Sequence, residues 1–288
     1  MTTPSPRAGR AARKKKATTL NSSAQYALRV LRLISISDEL LRAADISRRL
    51  DITLSNTRRA LSTLVQSGYL QRHPHWGRYE IGFTSQQLLY AALDRFPIRT
   101  VGLPYLRQLA FYVHGTASLN VRLGWYSVRI ASVSGGGSFF THARRLGEPE
   151  PLYASGAGRA MLAFLGEESL TECLRFHNRA HGLSASERAA LPKSLAAIRK
   201  SGFVLDLDAP AKDVNALSIP VRSPEGAAIA SVLIDGVSEK VPPLSHGPQF
   251  DVLMEIVRTF EKHGRENPTS FNGPFDHLPP GQIRFGVD

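Results

Sequence analysis

Apolar residues recur at helical spacing through the first hundred positions and alternate in several later stretches. Ala24, Ala27, Leu28, Leu31 and Ile34 form one stripe, which predicts a helix over 24–36 capped by Ser22 or Ser23. Ala43, Ile46 and Leu50 predict a short helix over 42–50. Thr53 suits an N-cap and Gly68 suits the left-handed residue that ends a helix. Between them Leu54, Thr57, Leu61, Leu64 and Val65 share a third stripe. Residues 69–72 and 78–81 read as two short strands around the turn HPHWG. Helices follow over 84–95 and 97–113, the second interrupted or bent at Pro104. Strands are expected over 117–123 and 127–133 with Gly124-Trp125 at the turn, then a glycine loop at 135–137. The remainder reads as a helix entry and helix over 151–165, helices over 167–177 and 186–200, strands over 203–207, 216–221 and 228–234, and a closing helix over 250–263. An antiparallel sheet with helices packed on it makes this half α+β.

The polar positions of the third helix sharpen the picture. Its outer face carries Ser55, Asn56, Arg58, Arg59 and Ser62, clustered towards the N-terminus. Three short helices and then a basic hairpin is the layout of a winged helix-turn-helix. A helix entering the major groove uses its N-terminal end, where Arg can take guanine and Asn adenine. Ser55, Asn56, Thr57, Arg58 and Arg59 are therefore the candidate reading residues, with the two arginines ranked above Asn56. Arg72 and Arg78, with His73 and Trp76, are candidates for the wing. Trp76 reads equally well as a packing residue at a hairpin tip. A solvated amphipathic helix with ordinary surface arginines is the alternative for the whole stretch.

Charge distribution favours DNA. The net charge is +12, and residues 1–100 hold 17 Lys and Arg against 6 Asp and Glu. The other 188 residues hold 19 against 18. The positive potential thus sits where the helix-turn-helix sits, as expected of a DNA-binding half joined to a neutral half. Residues 1–20 are rich in Pro, Ala, Lys and Arg with no acid, which predicts a disordered arm making non-specific phosphate contacts. The single cysteine, Cys173, excludes an intramolecular disulfide and reads as a packing residue of a helix. No apolar run approaches membrane-spanning length and no secretory signal is evident, so the cytoplasm is expected. Gly156-Ala157-Gly158 lacks the third glycine of a dinucleotide fingerprint, and the glycines at 135–137 precede no GK[ST]. Ser155 is in no nucleophile elbow, and the histidines show no zinc spacing. No cofactor or metal is expected. An enzyme, or a small-molecule-binding protein with a degenerate DNA-binding domain, is the alternative reading.

Three segments together carry a resemblance to a family. The first is the helix order followed by SGYLQR (67–72) and GRYEIG (77–82). The second is YASGAGRAMLA (153–163), similar to the pattern HASGAGKAxLA. The third is GFVLDLDAPAKDVNALSIPVRSPEGAAIASVLIDG (202–236). In this order they resemble the IclR-type bacterial transcription regulators over roughly residues 21–262. The resemblance implies a winged helix-turn-helix domain at 21–82, a helical linker at 83–113 that takes part in dimerisation, and a GAF-like effector domain at 114–263. A tail occupies 264–288. The implied activity is sequence-specific binding of a palindromic duplex operator by a homodimer, or a dimer of dimers, under the control of a small organic ligand. Repression is favoured over activation. Position by position, Gly156 and Ala157 match backbone that approaches the ligand, and Asp206 matches an acidic pocket position. A cysteine of some members is Ala216 here, and two serines are Leu233 and Asp235. A helix opening at Gly156 would present N–H groups to an anion. The departures nevertheless disfavour a two- or three-carbon acid, because a buried acid beside an acid is costly. Leu233, Tyr153 and either Trp125 or Phe140 would line a larger, partly apolar pocket for a bulkier ligand, aromatic compounds included. Leu233 as plain core, and Asp235 turned away or paired with Arg159, are the alternatives.

Overall fold

The computed structural model describes residues 21–136, 146–180, 184–207, 212–237, 247–267 and 269. The arm at 1–20, Phe140 and nearly all of the tail lie outside them. The chain divides into two compact units, residues 1–91 and 92–288.

In the first unit three helices enclose a core: α1 (Ser22–Ile36), α2 (Ala43–Leu50) and α3 (Leu54–Gln66). Ile34, Ile46, Leu61 and Leu64 from the expected stripes meet there with Val30, Leu41 and Leu70, whereas Leu28 of the expected α1 stripe is exposed. The cap of α1 is Asn21, whose Oδ1 accepts from the Ala24 N–H at 3.1 Å, rather than either serine. Thr53 caps α3 as expected, accepting from the Asn56 N–H at 3.3 Å. Gly68 adopts φ +76°, and a Cβ there would lie 2.5 Å from Thr84 Oγ1, so the position excludes a side chain on two grounds. The strands β1 (Leu70–Arg72) and β2 (Tyr79–Ile81) pair antiparallel. The outer edge of β2 is also bridged, because the Tyr79 N–H donates to the Leu41 carbonyl at 3.0 Å. Sequence periodicity gave no sign of that bridge, since one residue has no period. α4 (Phe83–Leu93) is largely apolar yet buries no residue.

The second unit is built on a six-stranded antiparallel sheet. Its strands are β3 (Thr116–Leu123), β4 (Tyr126–Ser134), β5 (Pro149–Pro151), β6 (Val204–Asp206), β7 (Val214–Arg222) and β8 (Ala228–Val237). They lie in the order β5-β4-β3-β8-β7-β6. One face packs on α5 (Pro97–Val113) and α9 (Pro248–Glu266). Leu119, Val121, Ile130, Ile219, Val232 and Ile234 meet Leu106, Leu109 and Phe260 there. α5 is thus part of this domain's core. It runs unbroken through Pro104, which sits on its exposed side. The other face carries α6 (Gly156–Leu162), and α7 (Glu167–Ala180) and α8 (Ala185–Ser201) join a second cluster around Leu152, Met161, Cys173 and Leu195. α6 is far shorter than the helix expected over 151–165, because Pro149–Pro151 forms the edge strand β5 instead. Proline lacks an N–H, so an edge strand accommodates it readily.

Candidate functional site

Two regions collect the candidate residues, one in each unit. On α3 the buried side consists of Thr57, Ala60, Leu61 and Leu64. That locks the rotation of the helix and leaves Ser55, Arg58 and Arg59 exposed, with Asn56 half-buried beside them. α3 carries no acidic residue, so nothing on this helix neutralises the two guanidinium groups. Leu54 belongs to the rim and not to the inner stripe, being 37% exposed. Thr57 is a correction to the candidate reading residues. Its side chain is fully buried, and its Oγ1 donates to the Thr53 carbonyl at 3.0 Å, so it seats the helix and cannot reach a base.

The wing separates its two arginines in the same way. Arg72 is exposed at the end of β1. Arg78 is half-buried and donates from Nη1 to the Leu40 carbonyl at 3.0 Å, so it ties the hairpin to the loop before α2. At the tip Trp76 stays exposed and stacks flat on His73, with ring centroids 4.2 Å apart and planes 6° from parallel.

In the second unit the candidate effector residues converge on the start of α6. Ala157, Ala216 and Leu233 form a small apolar cluster of their own, apart from both larger cores. Asp235 pairs across the sheet with Ala216 and is buried. Asp206 pairs with Ala216 on its other side. A Cβ on Gly156 would lie 2.5 Å from Asp206 Oδ2 and 2.8 Å from Ser218 Oγ. The missing side chain at 156 is what lets that carboxylate approach. Asp206 is held from the other side by Arg159, Nη2 to Oδ1 at 2.5 Å. The protein's own acid therefore takes the space in front of α6 where an anion was expected. With seven residues, α6 is also too short for much of a dipole. Arg159 pairs with Asp206 and not with Asp235. Tyr153 joins the other cluster, packing edge-on against His177 at 5.2 Å. Burial, and then the charge of Glu187, raise its pKa. Trp125 is buried in that same cluster. The Cys173 thiol is pushed up to about 12 by burial, against the opposing charge of Arg122, and is an inert packing group.

Polar residues missed in the sequence line the rest of this face. Thr116, Ser118 and Asn120 on β3, Ser127 and Arg129 on β4, Ser218 on β7 and Ser231 on β8 are all buried. Ser231 Oγ donates to the Ala157 carbonyl at 3.0 Å, which fixes α6 to the sheet. A cavity of about 150 Å³ opens beside Asn120, Ser127 and Arg129. The available signal was the alternation TASLNVRL at 116–123, in which every second residue is polar. Such alternation ordinarily marks a face turned to water.

Residues 90–259 match the family described as bacterial transcriptional regulator IclR C-terminal, more than half of the chain. The chain belongs to the IclR family. Residues 23–74 match the IclR helix-turn-helix domain. Among curated relatives, the HTH-type transcriptional regulator XynR of Escherichia coli (strain K12) is 26% identical over 76% of this chain and 87% of its own. The HTH-type transcriptional repressor AllR of Klebsiella pneumoniae is 26% identical over 75% and 79%. An IclR homolog from Microbacterium hydrocarbonoxydans, solved in complex with 4-hydroxybenzoate, has the same fold, with a TM-score of 0.69 at 22% identity over 85% of this chain and 99% of that one. The protein is thus a helix-turn-helix transcription regulator of the IclR family. Its α+β architecture, with an N-terminal helix-turn-helix and a C-terminal antiparallel sheet carrying helices, is that of IclR structures. Among the described residues no helix is long and apolar enough to cross a membrane.

Proposed function

We infer that the chain is a cytoplasmic, ligand-responsive repressor, with no catalytic activity, that binds a palindromic operator as a homodimer. The observation that carries the reading is the acid-free exposed face of α3, with Ser55, Arg58 and Arg59 outward and its opposite side fixed in the core. Arg58 and Arg59 read base edges, Asn56 supports the first turn or reads adenine, and Arg72 lies along the phosphates. α4 leaves Phe83, Leu88, Leu89 and Tyr90 exposed, an apolar surface that a second copy of the chain would cover. Two copies would set their reading helices over half-sites about one helical turn, or a multiple, apart.

The effector site is the face of the sheet under α6. Ala157, Ala216 and Leu233 supply its apolar patch, and Ser218 Oγ is buried there with no hydrogen-bond partner among the described residues. Asp206, held by Arg159 beside Gly156, occupies the space in front of α6 that a small, highly anionic ligand would need. A bulkier, partly apolar molecule suits this site, a reading supported by the Microbacterium homolog solved in complex with 4-hydroxybenzoate. Footprinting of neighbouring promoters, with and without a panel of metabolites, tests the reading. We expect a palindromic footprint that one organic compound releases. Protection of no specific sequence under any ligand condition would sink it.

A further inference from the structure

We propose that Trp76 is a specificity-determining residue that reads A·T pairs in the minor groove beside each half-site. The proposal rests on the reading that α3 lies in the major groove of an operator, and it adds a second groove to the recognition. The hairpin ladder places the residue. Arg72 pairs with Tyr79, and the His73 N–H donates to the Arg78 carbonyl at 2.8 Å. Pro74, His75, Trp76 and Gly77 therefore make the tip, where Gly77 turns the chain with φ +59°. Packing does not account for an indole there. Trp76 is 58% exposed and lies outside the core of its unit, to which Tyr69 and Tyr79 of the same hairpin belong. Among the described residues its ring partner is His73, whose own Nδ1 is buried with no hydrogen-bond partner among them. The two stacked rings hold each other's plane outside any core, and the indole is left as a rigid edge facing out. Exposed tryptophan held in this way is a frequent anchor for a partner.

Charge names the partner. Residues 72–78 hold two arginines, two histidines and no acid. The Arg72 guanidinium reaches back over the tip, since a Cβ on Gly77 would lie 3.4 Å from its Nη2. The tip thus fits an anionic surface with a slot for an aromatic edge. β1 starts four residues after α3 ends, in the same compact unit. With α3 in the major groove, the hairpin crosses one phosphate strand, which Arg72 contacts, and meets the neighbouring minor groove. That groove is about 6 Å wide and admits a ring on edge. Its floor then selects the base pair. A·T pairs show only acceptors there, adenine N3 and thymine O2, whereas G·C pairs add the guanine amino donor. The indole Nε1–H can only donate, so A·T matches it and G·C opposes it. A·T runs also narrow the groove and deepen its negative potential, which favours the Arg72 guanidinium beside the indole.

Selection of duplexes from a random pool by the full chain supplies the operator, and its flanks are then rebuilt with A·T, G·C or inosine·cytosine pairs. Inosine lacks the guanine amino group, so its pair shows the major-groove face of G·C and the minor-groove acceptors of A·T. The full chain is expected to bind A·T and inosine flanks alike and G·C flanks about tenfold more weakly. Trp76→Phe keeps a ring against His73 and loses the donor, so it should bind all three flanks alike. Trp76→Ala should also lose the preference, and if it loosens the hairpin, Trp76→Phe carries the test. Fluorescence gives a second readout, because the other tryptophan, Trp125, is buried. Acrylamide quenching of Trp76, taken as the difference between the parent chain and Trp76→Phe, should fall on saturation with the A·T-flanked operator and stay high with the G·C-flanked one. A flank preference that survives Trp76→Phe, inosine flanks that bind like G·C, or equal binding to all three would overturn the proposal. Flank indifference beside a clear half-site preference sinks the proposal and leaves the repressor reading standing. Selection of A·T flanks with no half-site preference does the reverse, and selection of no sequence sinks both.

Discussion

The polar side of α3 and the polar side of β3 look alike as patterns and have opposite fates. Each element is amphipathic, and each has its apolar side in a core. On α3 the polar side meets solvent, with arginines and short hydrogen-bonding groups and no acid. On β3 the polar side is covered, and Thr116, Ser118 and Asn120 are all buried. A polar surface in water can recognise something large, such as a duplex, through charge and a few base contacts. A polar surface shut away from water recognises something small, because each unmet donor or acceptor there is costly and selects its complement. The two proposed sites thus differ in one respect, whether the polar side is covered.

The largest expected effect sets the two faces of β3 against each other. Leu119 is fully buried between the sheet and its helices, so Leu119→Ala should destabilise the domain by about 2–5 kcal/mol. Ser118, next to it on the other face, shares one hydroxyl contact with Ser132 at 3.1 Å. Ser118→Ala should cost only about 1 kcal/mol. Urea denaturation of both variants checks the pair. Equal losses would mean that the polar face is ordinary core and no recognition surface.

Next comes the close approach at α6. Gly156→Ala forces a Cβ against Asp206 and Ser218, and overpacking of this kind costs about 1–3 kcal/mol. The loss should shrink in an Asp206→Ala background, because one of the two clashing atoms is then gone. A thermal-unfolding double-mutant cycle reads the coupling, and strict additivity would show that the carboxylate is not what Gly156 accommodates.

On the open face, Arg58→Ala and Arg59→Ala should leave stability within about 0.5 kcal/mol, since both are exposed on α3. At least one should cost about 1–3 kcal/mol at the operator and relax preference at one base pair. Competition binding against single-base operator variants checks this. A uniform loss across all sequences for both would make them phosphate clamps.

These contrasts also show why some parts were readable and others were not. Helices α1, α2, α3, α5 and α9 and strands β3, β4, β7 and β8 announce themselves through period, because each turns an apolar side into a core. β5 did not, since three residues with two prolines carry no period and resemble a loop. Ala157 of YASGAGRAMLA does meet Ala216 and Leu233 of the third segment, but Tyr153 packs in another cluster and the partner of Asp206 did not follow from spacing. Thr57 was counted both on the apolar stripe and among the reading residues, and packing decides for the stripe. Asn120, Ser127 and Arg129 were missed for a more general reason. Alternation says which residues share a face and says nothing about what covers it.

The smallest effect separates the two wing arginines, which the sequence treats as equivalent. Arg72 is exposed on β1, so Arg72→Ala should leave the fold untouched. It should weaken binding alike for all sequences and reduce the salt slope by about 1, as expected for one lost phosphate contact. Arg78 holds the Leu40 carbonyl, so Arg78→Ala should instead cost about 1 kcal/mol of stability by freeing the hairpin from the loop before α2. Its salt slope should stay that of the parent protein. Binding isotherms at several salt concentrations, paired with thermal unfolding, distinguish the two. If Arg78→Ala lowers the slope as much as Arg72→Ala and leaves stability unchanged, the bond to Leu40 gives way when DNA arrives. Both arginines would then be part of the DNA surface.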